Sequence, residues 1–123
     1  RKKLNFGHTI GHAIEGYLLE KQVEITHGEC VAWGMLAESY LSYELAGLSE
    51  YELKTIETFI RNTYPELPIE EDEFEHLIKL MRHDKKNQGD KINFTLLNAI
   101  GESTVDYQLD EEQIVEALIK TLA

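Results

Sequence analysis

Apolar side chains recur along most of this chain with the period of a helix. Over residues 6–20 they fall at Ile10, Ala13, Ile14, Tyr17 and Leu18, and over 29–46 at Val31, Met35, Leu36, Leu41 and Leu45. Gly47 follows the second stretch where a C-terminal cap belongs. Ser49, with Glu52 three residues on, has the form of a capping box, opening a helix with Leu53, Ile56 and Ile60 on one face. Tyr64-Pro65 ends that helix, because the residue before a proline is pushed out of the helical region, and Pro68 keeps the following turn open. Phe74, Leu77, Ile78 and Met81 make a fourth stripe across residues 70–82.

The pattern then changes period. His83 to Asp90 is polar, with Gly89 near its end, and reads as a loop. Ile92, Phe94 and Leu96 alternate with Asn93 and Thr95, which is strand spacing, and Val105 with Tyr107 offers a short partner. Asn98 to Glu102 would be the connecting turn. A last helix from about Asp110 carries Ile114, Val115, Leu118, Ile119 and Leu122 on its inner side. The predicted fold is mainly α, a multi-helix domain with one small β-hairpin at about residues 91–107. At 123 residues the chain fits a single domain, 1–123, with a core of its own.

Charge narrows the choice of partner. The net charge of −11 argues against nucleic acid, whose phosphates are met by Lys and Arg. Its distribution is uneven. Residues 44–75 hold ten acids against Lys54 and Arg61, and 102–123 hold six against Lys120. Elsewhere, nine Lys and Arg face seven acids, so cationic groups gather in residues 1–12 and 82–91, where an anionic small molecule would bind. No apolar run approaches the roughly 20 residues needed to span a bilayer, so no membrane partner is expected. The lone cysteine, Cys30, rules out an internal disulfide framework and fits a reducing cytoplasm.

Candidate chemistry starts with histidine. His8 and His12 stand four apart, which in a helix puts both imidazoles on one face. His27 follows just ahead of Gly28-Glu29. Neutral imidazole is a common ligand for zinc-like ions, and a catalytic site typically uses three protein ligands; the bland alternative is a pair of exposed, hydrogen-bonding histidines. Thr9 stands where a zinc protease would need its general-base Glu, so that chemistry is excluded. Gly11 lies inside a predicted helix at a cost of roughly 1 kcal/mol relative to Ala, which either a nearby ligand or close helix packing would explain. Asp84-Lys85-Lys86-Asn87 forms a second polar constellation, readable as a ligand loop or as surface charge. Cys30 and Trp33 read as packing residues.

The block Arg1-x-x-Leu4-Asn5-Phe6-Gly7-His8-Thr9-Ile10-Gly11-His12-Ala13 resembles the metal-binding signature of 3-dehydroquinate synthases. His27-Gly28-Glu29-Cys30-Val31-Ala32-Trp33-Gly34-Met35 is similar to a second block of that family, and Asp84-Lys85-Lys86-Asn87 with Phe94-Thr95-Leu96-Leu97 and Ile100-Gly101 to a third. The resemblance implies an enzyme that binds NAD⁺ and a divalent metal, zinc or cobalt, between an N-terminal α/β domain and a C-terminal helical domain. It implies conversion of 3-deoxy-D-arabino-heptulosonate 7-phosphate to 3-dehydroquinate and phosphate in the shikimate pathway, by a cytoplasmic homodimer.

Carried over by position, the resemblance makes His8 and His27 metal ligands, with a third, a glutamate, in the N-terminal domain. Arg1, Asn5 and His12 become substrate contacts, with His12 the catalytic group that binds phosphate or moves protons. One of Lys85 and Lys86 also becomes a substrate contact. The sequence opens at Arg1, inside the first block, so the expectation is a C-terminal half that lacks the NAD⁺-binding domain and is inactive alone. Three alternatives stand beside it: a related sugar-phosphate cyclase such as a 2-deoxy-scyllo-inosose synthase, a metal-dependent alcohol dehydrogenase-like helical domain, and a stand-alone helical binding module.

Overall fold

The computed structural model describes residues 6–84, 91–100 and 102–122. Among these, five α-helices and one antiparallel hairpin follow in the order α1 (His8–Glu20), α2 (His27–Leu45), α3 (Glu50–Thr63), α4 (Phe74–Asp84), β1 (Ile92–Ala99), β2 (Glu102–Leu109) and α5 (Glu111–Leu122). A single 3₁₀ turn, Glu71–Glu73, leads into α4. Arg1, Asn5, Lys85, Lys86, Asn87, Gly89 and Gly101 lie outside the described residues.

Local side chains set the starts of α2, α3 and α5. The Thr26 side chain caps α2 and Ser49 caps α3, each in a reciprocal box with the Glu three residues on, as the Ser49–Glu52 spacing predicts. Asp110 and Gln113 exchange the same pair of hydrogen bonds, both at 3.0 Å, and start α5 one residue later than expected. Gly47 takes the positive φ of 96° that ends α2. The fourth helix extends through His83, which the polarity of the sequence assigns to a loop. Basic residues such as Arg82 and His83 suit the last turn of a helix, so polarity there is no sign of a break.

The central element is α2. It packs against α1, α3, α5 and β1, and is buried on nearly every side from Cys30 to Ser42. That explains why one apolar stripe describes it poorly: Leu45, assigned to the stripe, is exposed, while Glu38, Ser39 and Ser42 are inside. Buried polar groups need partners. The Ser42 hydroxyl donates to the Glu38 carbonyl at 2.8 Å and accepts the Leu97 N–H at 3.0 Å, tying the hairpin to α2.

That tie also disturbs the expected alternation in β1. The ladder pairs Ile92 with Leu109 and Phe94 with Tyr107, then shifts register around Leu97. Thr95 and Leu97 are buried along with Ile92, Phe94 and Leu96, so β1 is covered on both faces in its middle. In α5, Ile114 and Leu118 are fully buried as predicted, with Val115 and Leu122 packed beside them. Ile119 is 41% exposed and does not belong to the inner face: with Ile114, Ala117, Leu118 and Thr121 inward, it lies on the helix's outer flank.

Candidate metal and substrate site

The site begins where α1 and α2 meet. Gly34 is the contact: a Cβ there would lie 2.3 Å from the Gly7 carbonyl oxygen and 2.5 Å from the Gly11 nitrogen. A Cβ on Gly11 would in turn stand 3.1 Å from the Cys30 carbonyl oxygen. Both glycines let two helix backbones approach, which settles the choice left open for Gly11 in favour of close packing.

The first turn of α1 has no side-chain cap of its own; Gly7 sits in the left-handed region at φ 84°. A residue from α2 takes over. Glu38, fully buried, accepts the Gly7 N–H at 2.7 Å with one carboxylate oxygen and the Ile10 N–H at 3.0 Å with the other. A carboxylate at a helix N-terminus answers orphan donors and the positive end of the dipole at once. His8, the first residue of α1, is placed by this contact.

From α1 the side chains of His8, His12 and Glu15 leave on one face, at positions i, i+4 and i+7. The His8 and His12 rings stand edge to face with centroids 5.0 Å apart. His8 is half-buried, and its Nδ1 is enclosed with no hydrogen-bond partner among the described residues. His27 opens α2 at a point fixed by the Thr26–Glu29 box, and its Nδ1 lies 2.9 Å from the Glu15 Oε1.

His8 and His27 line the same cavity, of about 560 Å³. That volume is within the range of small-molecule sites. Its remaining wall is largely apolar, with Val31 and Met35 from α2 and Ile56, Phe59 and Ile60 from α3. His12 is exposed and is not among the lining residues. The spacing of His8 and His12 thus gives the shared face correctly, while the cavity joins His8 to His27.

Two imidazoles on one cavity, one with a buried nitrogen unpartnered among the described residues, fit the donor chemistry of a zinc-like cation. Among the described residues no group of three His, Cys, Asp or Glu side chains is arranged to hold a metal. Cys30 behaves as a packing residue: fully buried, its thiol is pushed up to about 11 by burial and by the nearby charges of Glu15 and Glu29. Trp33 is core, its indole N–H donating to the Pro65 carbonyl at 2.8 Å.

The family described as 3-dehydroquinate synthase C-terminal matches residues 1–87. The chain belongs to this family. It is 43% identical over 118 residues to the 3-dehydroquinate synthase of Parabacteroides distasonis, covering 96% of this chain and 33% of that protein. With the 3-dehydroquinate synthase of Clostridium tetani it shares 35% identity over 122 residues, 99% of the chain and 32% of the relative. The chain therefore spans about a third of the length of these curated relatives. Its fold is also that of 2-deoxy-scyllo-inosose synthase. A crystal structure of that enzyme complexed with carbaglucose-6-phosphate, NAD⁺ and Co²⁺ superposes with a TM-score of 0.74 at 24% identity, over 94% of this chain and 34% of the other. A second structure of 2-deoxy-scyllo-inosose synthase gives 0.68 at 26% identity, over 94% and 31%.

Two acids of the site escape a reading of the sequence, and both carry a signal. Glu15 continues the His8, His12 spacing by three residues, on the same face. Glu38 is the lone acid in an otherwise uncharged stretch of helix from Cys30 to Tyr43. An isolated carboxylate in such a run asks for a buried partner.

Proposed function

We propose that this chain is the metal- and substrate-binding part of a 3-dehydroquinate synthase, converting 3-deoxy-D-arabino-heptulosonate 7-phosphate to 3-dehydroquinate with release of phosphate. The observation that carries it is that His8 and His27, from two different helices, line one cavity in a chain of this family. The two imidazoles would hold a divalent cation, which when bound supplies Lewis-acid stabilisation to a substrate alkoxide. NAD⁺ and the third metal ligand would come from the part of the protein before Arg1, in a cytoplasmic homodimer.

The remaining roles are those that the family resemblance implies. Arg1, Asn5 and one of Lys85 and Lys86 bind the carboxylate and phosphate of the substrate through charge-assisted hydrogen bonds. His12, exposed beside His8, meets the phosphate or moves a proton there. The apolar α3 wall excludes water from one side of the cavity and strengthens the electrostatics inside.

The test uses the full-length protein. His8→Ala and His27→Ala should each lose bound metal by elemental analysis and stop phosphate release, while NAD⁺ binding measured by fluorescence persists. Near-normal metal content in either variant would overturn the ligand assignment. Product analysis with the heptulosonate phosphate and with a hexose 6-phosphate separates this reading from the cyclase whose fold it shares.

A further inference from the structure

The hydrogen bond between Glu15 and His27 crosses the α1–α2 seam beside the cavity. The His27 side chain is 62% exposed, and among the described residues Glu15 is the polar partner its ring meets. As an ion pair at the surface such a contact contributes little to stability. Its effect falls on the ring itself. An ionised carboxylate can only accept, so a contact of this length favours the proton on Nδ1 and leaves Nε2 to face a ligand. A free imidazole samples both neutral tautomers and several rotamers; a carboxylate at this distance favours one of each.

We infer that Glu15 is a positioning residue that holds His27 in the Nδ1–H tautomer and presents its Nε2 to a divalent cation. The inference rests on the reading of His27 as a ligand and adds the group that orients it. Carboxylates behind metal-binding histidines raise ligand basicity and fix ring direction, and losing one typically costs 10- to 100-fold in metal affinity. Glu15 is well placed for that role because α1 is anchored at both ends, so its carboxylate is a fixed point for the ring on α2.

Two readouts on the full-length protein test this. Long-range ¹⁵N–¹H NMR of the metal-free chain reports the His27 tautomer, and titration with Co²⁺, followed by visible absorbance, reports affinity. Wild type should show Nδ1–H. Glu15→Leu should mix the tautomers and weaken Co²⁺ binding about 10- to 100-fold, with an unchanged circular dichroism spectrum. Glu15→Gln, which keeps a carbonyl acceptor, should restore most of both. Glu24→Leu, removing an exposed acid from the loop before α2, should change neither. A Leu variant with wild-type tautomer and affinity would overturn the inference. So would a Gln variant as weak as Leu, or a Glu24 variant as weak, since charge alone would then explain the loss. If His27→Ala binds Co²⁺ as wild type does, the ligand reading itself fails, while the tautomer measurement still judges Glu15 separately.

Discussion

Glu38 of α2 caps a helix it does not belong to, its carboxylate receiving the Gly7 N–H of α1 at 2.7 Å. The second oxygen takes the Ile10 N–H at 3.0 Å, so removing the side chain leaves two buried donors unanswered. Charge-assisted hydrogen bonds are worth about 1.5–3 kcal/mol, and unsatisfied buried groups cost a similar amount. Glu38→Ala should therefore lower the unfolding free energy by about 3 kcal/mol or more in urea titrations. Glu38→Gln keeps the shape and one good acceptor and should lose about half as much. A loss below about 0.5 kcal/mol for both would mean that the cap is not needed.

The glycine seam gives a second expectation, with its control on one of the same two helices. Gly34→Ala forces a Cβ against the backbones of Gly7 and Gly11, neither of which can yield as a side-chain tip can. Overpacking of this kind costs roughly 1–3 kcal/mol, and the melting temperature should fall accordingly. Gly16 lies on α1 with a negative φ, and a Cβ added there would meet nothing within 4 Å. Gly16→Ala should raise stability by about 0.5–1 kcal/mol, because it removes backbone freedom from the unfolded chain.

A pH dependence follows from Glu73. Lys21 donates to its carboxylate at 2.5 Å and Tyr17 donates to the same oxygen, and these contacts hold the carboxyl down at about 2. The folded value lies below the ordinary 4.5, so the contribution is complete above that value. It is lost as pH falls from about 4.5 towards 2. Thermal melts of wild type and Glu73→Gln should differ most at neutral pH and converge near pH 2. A constant difference across that window would show that the ion pair is not the cause.

Lys85 and Lys86 supply a prediction about substrate rather than fold. Two adjacent lysines need not both reach one ligand, so single changes to Met in the full-length protein should expose one sensitive position. That variant should bind substrate about 10- to 100-fold more weakly, the equivalent of one charge-assisted contact, and retain its metal. Two indifferent variants would reduce the pair to surface charge.

Elements with a one-sided apolar stripe are readable in advance. The α3 stripe and its Ser49–Glu52 box, the α4 stripe and most of α5 stand as their spacing predicts. Where burial has more than one side, spacing misleads. In α2 the residues from Cys30 to Ser42 face four neighbours, and in β1 Thr95 is inside beside Phe94, so neither shows a clean period. The site divides in the same way. His8 and His27 line one cavity, and in the sequence both stand inside the blocks that carry the family resemblance. Glu15 and Glu38 act across the seam between two helices, a relation that no local spacing contains.

Anchoring α1 at both ends has a mechanical consequence. Glu38 grips its first turn from α2, and Glu73, just ahead of α4, grips it near the last through Tyr17 and Lys21. A beam clamped at both ends passes displacement to its supports instead of bending. The second of those supports leads into α4, whose far end is Asp84, the residue before Lys85 and Lys86 in the sequence. The imidazole face of α1 and the start of α4 are thus joined by side-chain contacts between residues far apart in sequence.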